Sequence, residues 1–153
     1  MSGTQDDAPQ PGSESVIEPR EQPQLILDLT RLPALDAALV CDGDDSSRER
    51  LVETAIGAGF GQVTQTRRGI EAVEHAAATQ PSVAIVDLAS TGHLGLRVIG
   101  AIRSVAPSCL VVLITPFPDL VEPAVAAGAH AVIEQHDLRP LHALLSDLVD
   151  REL

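Results

Sequence analysis

The chain has 153 residues, 22 acids against 10 bases for a formal net charge of −12, and an apolar fraction of 44% with two Phe and neither Tyr nor Trp. That length holds one domain of ordinary size, about 100–150 residues, plus a tail. The charge argues against a nucleic-acid backbone or an anionic lipid surface as partner. No stretch approaches the ~20 consecutive apolar residues of a spanning helix, and the first residues lack the pattern of a secretory signal, so a soluble cytoplasmic protein is expected.

In chain order, residues 1 to about 23 are rich in Pro, Gln, Ser and acids and hold few groups able to offset the entropy of ordering them, which predicts a disordered tail. Residues 24–35, QLILDLTRLPAL, are apolar enough to dock on the domain as a strand or a short helix, and periodicity does not choose between the two. The mostly disordered acidic and Pro-rich segment is therefore assigned to residues 1–35 and the domain to residues 36–153.

From residue 37 short apolar runs alternate with helical patterns, the mark of a parallel sheet covered on both faces. The predicted strands are AALVC (37–41), QVTQT (62–66), VAIVD (83–87), LVVLIT (110–115) and AVIE (131–134). Between them, apolar residues recur at three to four positions: Leu51, Val52, Ala55 and Ile56; Ile70, Val73 and Ala77; Leu96, Ile99 and Ile102; Val125; and Leu141, Leu144, Leu145 and Leu148. Ser46 and Glu49 have capping-box spacing at the start of the first helix, and Asp45 reads as a further cap. GAGFG (57–61) follows a helix and precedes a strand, so it reads as a helix stop and not a dinucleotide turn. Pro123 places the start of the fourth helix near Glu122, and Pro140 sits near the start of the last.

In an open parallel sheet the carboxyl ends of the strands form the usual ligand crevice. Asp42, Asp87 and Thr115 fall at or just beyond the ends of the first, third and fourth strands and are expected to converge there. Two carboxylates could hold a hard divalent cation, with the Thr115 hydroxyl as an added donor. Cys41 and Cys109 have no metal-ligand spacing and read as small buried groups. The five histidines, His75, His93, His130, His136 and His142, share no ligand spacing, and no nucleophile and base pair points to an enzyme.

Taken together, LVCDGD, GIEAV (69–73), VAIVDLASTGHLGLRVIGAIR (83–103) with Gly95 eight residues after Asp87, LVVLIT, and AVAAGAHAVI (124–133) resemble the response-regulator receiver domain over about three quarters of the chain. The cobalamin-binding domains share the fold, but position 44 is Asp where their pattern has a ligating His. The receiver resemblance implies an α/β fold: a doubly wound five-stranded parallel sheet in the order 2-1-3-4-5 with helices on both faces. It further implies Asp87 as phosphoacceptor, Mg2+ held by Asp42 and Asp87, with Asp44 as a further ligand where it turns inward, and Thr115 as the switch hydroxyl. It implies a histidine kinase or other signalling protein as partner, and a surface for partner or homodimer contact built from the fourth helix, fifth strand and fifth helix.

The sequence departs from that pattern at several positions. Gly43 stands where the family has its second acid, Gln135 where it has a lysine, His136 where a proline usually follows, Val132 where it has an aromatic, and Ser90 and Thr91 where a residue pair ending in proline is usual. A neutral hydrogen bond contributes about 0.5–1.5 kcal/mol net against about 1.5–3 for a charged one, so the loss of the lysine weakens the hold on a transferred phosphoryl group. The expected function is a stand-alone signalling receiver that accepts phosphoryl on Asp87 weakly or not at all and acts by binding a partner. The alternative is a pseudo-receiver interaction module that works without phosphorylation.

Overall fold

The computed structural model describes residues 34–87 and 94–152. Its elements follow one another as β1 (Ala34–Cys41), α1 (Asp45–Ala58), β2 (Gln62–Thr66), α2 (Gly69–Thr79), β3 (Pro81–Asp87), α3 (Leu94–Val105), β4 (Leu110–Thr115), α4 (Val121–Ala127), β5 (Ala131–Glu134) and α5 (Arg139–Glu152). A single 3-10 turn, Pro118–Leu120, leads into α4. The five strands form one parallel sheet in the order β2-β1-β3-β4-β5, as expected from the alternation of apolar runs and helical patterns.

Successive strand residues point to opposite faces, and this period divides the core in two. Leu39, Ala84, Val86, Val111 and Leu113 pack with Ala72, Ala76, Ile99, Ile102 and Ala124 under α2, α3 and α4. Val40, Val83, Ile85, Val112 and Ile114 pack with Leu51, Ala55, Leu141 and Leu145 under α1 and α5. Every residue of β3 is buried, as a central strand covered on both faces requires. Fully burying a side chain such as Ile85 is worth about 1.5–3 kcal/mol.

Several local expectations are corrected. β1 begins at Ala34 and β3 at Pro81, each earlier than the apolar runs alone indicate; a proline is acceptable as the first residue of a strand. The cap of α1 is neither Ser46 nor Asp45 but Asp44, whose carboxylate accepts from the Ser47 backbone N–H at 2.8 Å. The helix thus begins at Asp45, and the Asp45 carboxylate is drawn to Arg48 and Arg67, at 2.7 Å from each.

The buried stripe of α2 is Ala72 and Ala76, not Ile70 and Ala77, and Ile70 is 57% exposed. α2 lies so close to α3 that a Cβ on Gly69 would stand 2.3 Å from a Val98 methyl, and small residues are what such an approach admits. Ile56 and Val125 are also exposed, while Ala55 and Ala124 take the core positions beside them.

The stop after α1 is Gly59, at φ 117°, whose N–H returns to the Ile56 carbonyl. At the end of α2 the same left-handed conformation falls on Gln80 (φ 50°), whose side-chain amide donates to the carbonyls of Ala76, Ala77 and Val105. Of the two phenylalanines, Phe60 is buried and Phe117, at the mouth of the β4–α4 connection, is 46% exposed.

Candidate functional site

The carboxyl ends of β1, β3 and β4 lie side by side, which brings Asp42, Asp87 and Thr115 to one edge of the sheet; all three are buried. Asp42 is fixed from two directions. Its backbone N–H donates to the Thr66 carbonyl at 3.0 Å, and its Oδ1 accepts the Asp44 N–H at 2.9 Å. Its Oδ2 is buried and has no hydrogen-bond partner among the described residues. An unmatched acceptor of this kind carries a desolvation cost of about 1–3 kcal/mol.

Asp87 ends the central strand, and its Oδ2 accepts two neutral donors, the Ser47 hydroxyl at 3.3 Å and the Gln135 side-chain amide at 3.2 Å. Gln135 is held in turn, because its backbone N–H donates to the Thr115 carbonyl at 3.2 Å. The Thr115 hydroxyl accepts the Phe117 N–H at 3.0 Å, which ties it to the connection leading to α4. Ser47 was invisible to motif reading, since its contact joins residues 40 positions apart. The signal available in the sequence was its place in the first turn of the helix that follows Asp42.

A guanidinium also borders the pocket. The Arg48 side chain, 12% exposed, donates to the Asp42 carbonyl at 3.0 Å, to Gln65 Oε1 at 3.1 Å and to Asp45 Oδ1 at 2.7 Å. No lysine can take the place that Gln135 fills, because all ten basic residues of the chain are arginines. Cys41, beside Asp42, is buried, and desolvation pushes its thiol above the ordinary range, with the Asp42 charge adding to the effect. Burial alone pushes the Cys109 thiol up to about 12, so both cysteines are inert packing groups.

The described residues bring two carboxylates, Asp42 and Asp87, to a divalent ion of the Mg2+ type, and no third. Such an ion needs near-octahedral oxygen ligands at about 2.0–2.1 Å, anchored by carboxylates. Gly43 offers no side chain, Asp44 is spent on the helix cap, and Asp45 is turned toward Arg48 and Arg67. Among the described residues no group of three or more His, Cys, Asp or Glu is placed to hold a metal. Of the three expected ligands, Asp42 and Asp87 come together and Asp44 does not join them. Ser90, Thr91 and His93 lie outside the described residues.

No protein-family profile matches the chain. Its fold is that of the response-regulator receiver, or CheY-like, domains, the class to which many of its structural neighbours belong. The signal receiver domain of the NarL response regulator from Mycobacterium tuberculosis is 25% identical with a TM-score of 0.63, covering 78% of this chain and 98% of that one. The Vibrio cholerae chemotaxis protein CheY4 is 23% identical with a TM-score of 0.63, covering 78% of this chain and 100% of that one. A Burkholderia pseudomallei response regulator, solved with a phosphorylated aspartic acid, a calcium ion and citrate, is 21% identical with a TM-score of 0.64 and coverages of 76% and 69%.

Among curated proteins, a cyclic di-GMP phosphodiesterase from Thermotoga maritima is 32% identical over 99 residues, 63% of this chain and 26% of that protein. The chain thus spans about a quarter of the length of that curated relative. Among the described residues no helix is long and apolar enough to cross a membrane.

Proposed function

We propose that the domain, from the start of β1 at Ala34 onward, acts as a signalling receiver of a two-component or phosphorelay system, with Asp87 as a slow phosphoacceptor, and that the residues before it are an accessory tail. The observation that carries this reading is the meeting of Asp87, Thr115 and Gln135 at the end of the central strands, with Gln135 Nε2 3.2 Å from Asp87 Oδ2. A carboxylate oxygen so placed can bond to the phosphorus of a donor as the donor's own bond to it breaks, releasing the kinase imidazole, or acetate from acetyl phosphate, while Thr115 and Gln135 offer a hydroxyl and an amide to the phosphoryl oxygens. Preorganised donors stabilise the charge of such a transfer, and neutral donors do so less than a cation would, so transfer is slow.

The output is partner binding, by a histidine kinase or another signalling protein, or by a second copy of the chain through α4, β5 and α5. Support for that surface comes from Val121 and Val125, 39% and 57% exposed four positions apart on α4, and from Phe117, 46% exposed in the connection before it. Beside them a groove of about 240 Å³ is lined by Thr115, Phe117, Val121, Val132 and Glu134. Nothing of the phosphodiesterase's catalysis is carried over, and the domain is read as a non-enzymatic module.

The test is to incubate the protein with acetyl phosphate and measure its intact mass. Addition of one phosphoryl group to the wild type and none to Asp87→Asn is expected. An unmodified wild type would overturn the phosphoacceptor reading and leave the pseudo-receiver. In that case Asp87→Asn binds partners as the wild type does, whereas Val125→Asp does not.

A further inference from the structure

We propose that the Asp87 pocket works without a divalent cation, the Ser47 hydroxyl and the Gln135 amide together taking the part that a metal and an ammonium would play. The proposal rests on reading this pocket as a phosphoacceptor site and specifies how that site is neutralised.

Four observations carry it. Asp87 Oδ2 already receives two donors, Ser47 Oγ at 3.3 Å and Gln135 Nε2 at 3.2 Å, and these approach from α1 and from the segment after β5, on opposite sides of β3. A metal bound to that oxygen would have to displace them. The third carboxylate of the neighbourhood, Asp44, holds the N-terminus of α1, and moving it inward would strip the cap from the Ser47 N–H. Residue 43 is glycine and supplies no side-chain oxygen.

Finally, the site carries a cation of its own. The Arg48 guanidinium lies 3.0 Å from the Asp42 carbonyl, and its three hydrogen bonds to Asp42, Gln65 and Asp45 fix it there. Its charge, although shared with Asp45, adds repulsion against any second cation brought up to Asp42.

The experiment titrates the full chain with Mn2+ and follows amide line widths. In the wild type, the amides of Gly43, Asp44 and Asp87 are expected to broaden no more than that of Cys109, at the opposite edge of the sheet. In Gly43→Asp the same three amides are expected to broaden selectively and saturably, at least about tenfold tighter than any wild-type effect, since even outer-shell partners shift metal affinity by about 10–100-fold. Selective, saturable broadening in the wild type would overturn the proposal.

A second arm repeats the acetyl phosphate reaction in EDTA and in Mg2+. Equal labelling in both supports the proposal, and labelling confined to Mg2+ overturns it while leaving Asp87 as phosphoacceptor. Absence of labelling in both overturns the phosphoacceptor reading, and the Mn2+ titration then decides the metal question by itself.

Discussion

Ile85 and Asp87 lie two residues apart on β3, and both are shut away from solvent. The reasons are opposite. Ile85 is buried because water rejects it, and it packs into the layer that holds Leu51, Leu141 and Leu145. Asp87 is buried against the preference of a carboxylate and is kept there by what its neighbours donate. The interior of the sheet supplies stability, and the rim two residues further on draws on it.

The comparison can be broken first in the interior. Ile85→Ala removes a fully buried side chain and is expected to lower the unfolding free energy by about 2–5 kcal/mol, read as a shift in the urea midpoint at unchanged slope. At the rim, Gln135→Ala takes a donor from a buried carboxylate and is expected to cost about 1–3 kcal/mol. The same change in an Asp87→Asn background should cost less, and equal costs in both backgrounds would mean that the amide is not serving the charge. Asp44→Ala leaves the Ser47 N–H without its acceptor and should cost about 1 kcal/mol.

The smallest effect lies at the opposite edge, where His130 Nδ1 accepts the Val111 N–H at 3.0 Å. Desolvation, and then the nearby Arg103 charge, hold this imidazole below its ordinary value. A group whose proton affinity is depressed by folding contributes stability that is present above its unfolded value, near pH 6.5, and is lost as the pH falls through the folded one. The wild type should therefore lose slightly more stability than His130→Gln between about pH 7 and pH 5.5, measured as paired urea midpoints.

The interior was legible in the sequence because burial on both faces leaves an unbroken apolar run, as in SVAIVD, and strand order follows from alternation with helices. Asp87 and Thr115 were legible for the same reason, since each stands at the end of such a run. The helix faces were less so. Ile56, Ile70 and Val125 are large, apolar and at helical spacing, yet they are exposed; on α2 the buried positions go to Ala72 and Ala76, and Gly69 meets Val98 of α3. The Ser47 contact and the turn of Asp44 toward its own helix depend on where α1 begins. One residue of shift decides that, and spacing alone does not resolve it.

Phe117 has a practical consequence for any study of binding. With Phe60 buried, it is the exposed aromatic of a chain that has no tyrosine or tryptophan. The protein is therefore nearly dark in the absorption and emission bands of those two residues, and indole or phenol signals from a complex belong to the partner. Phe117→Trp would place a single lamp beside the α4 groove, so the approach of a dark ligand could be watched from the protein's own side.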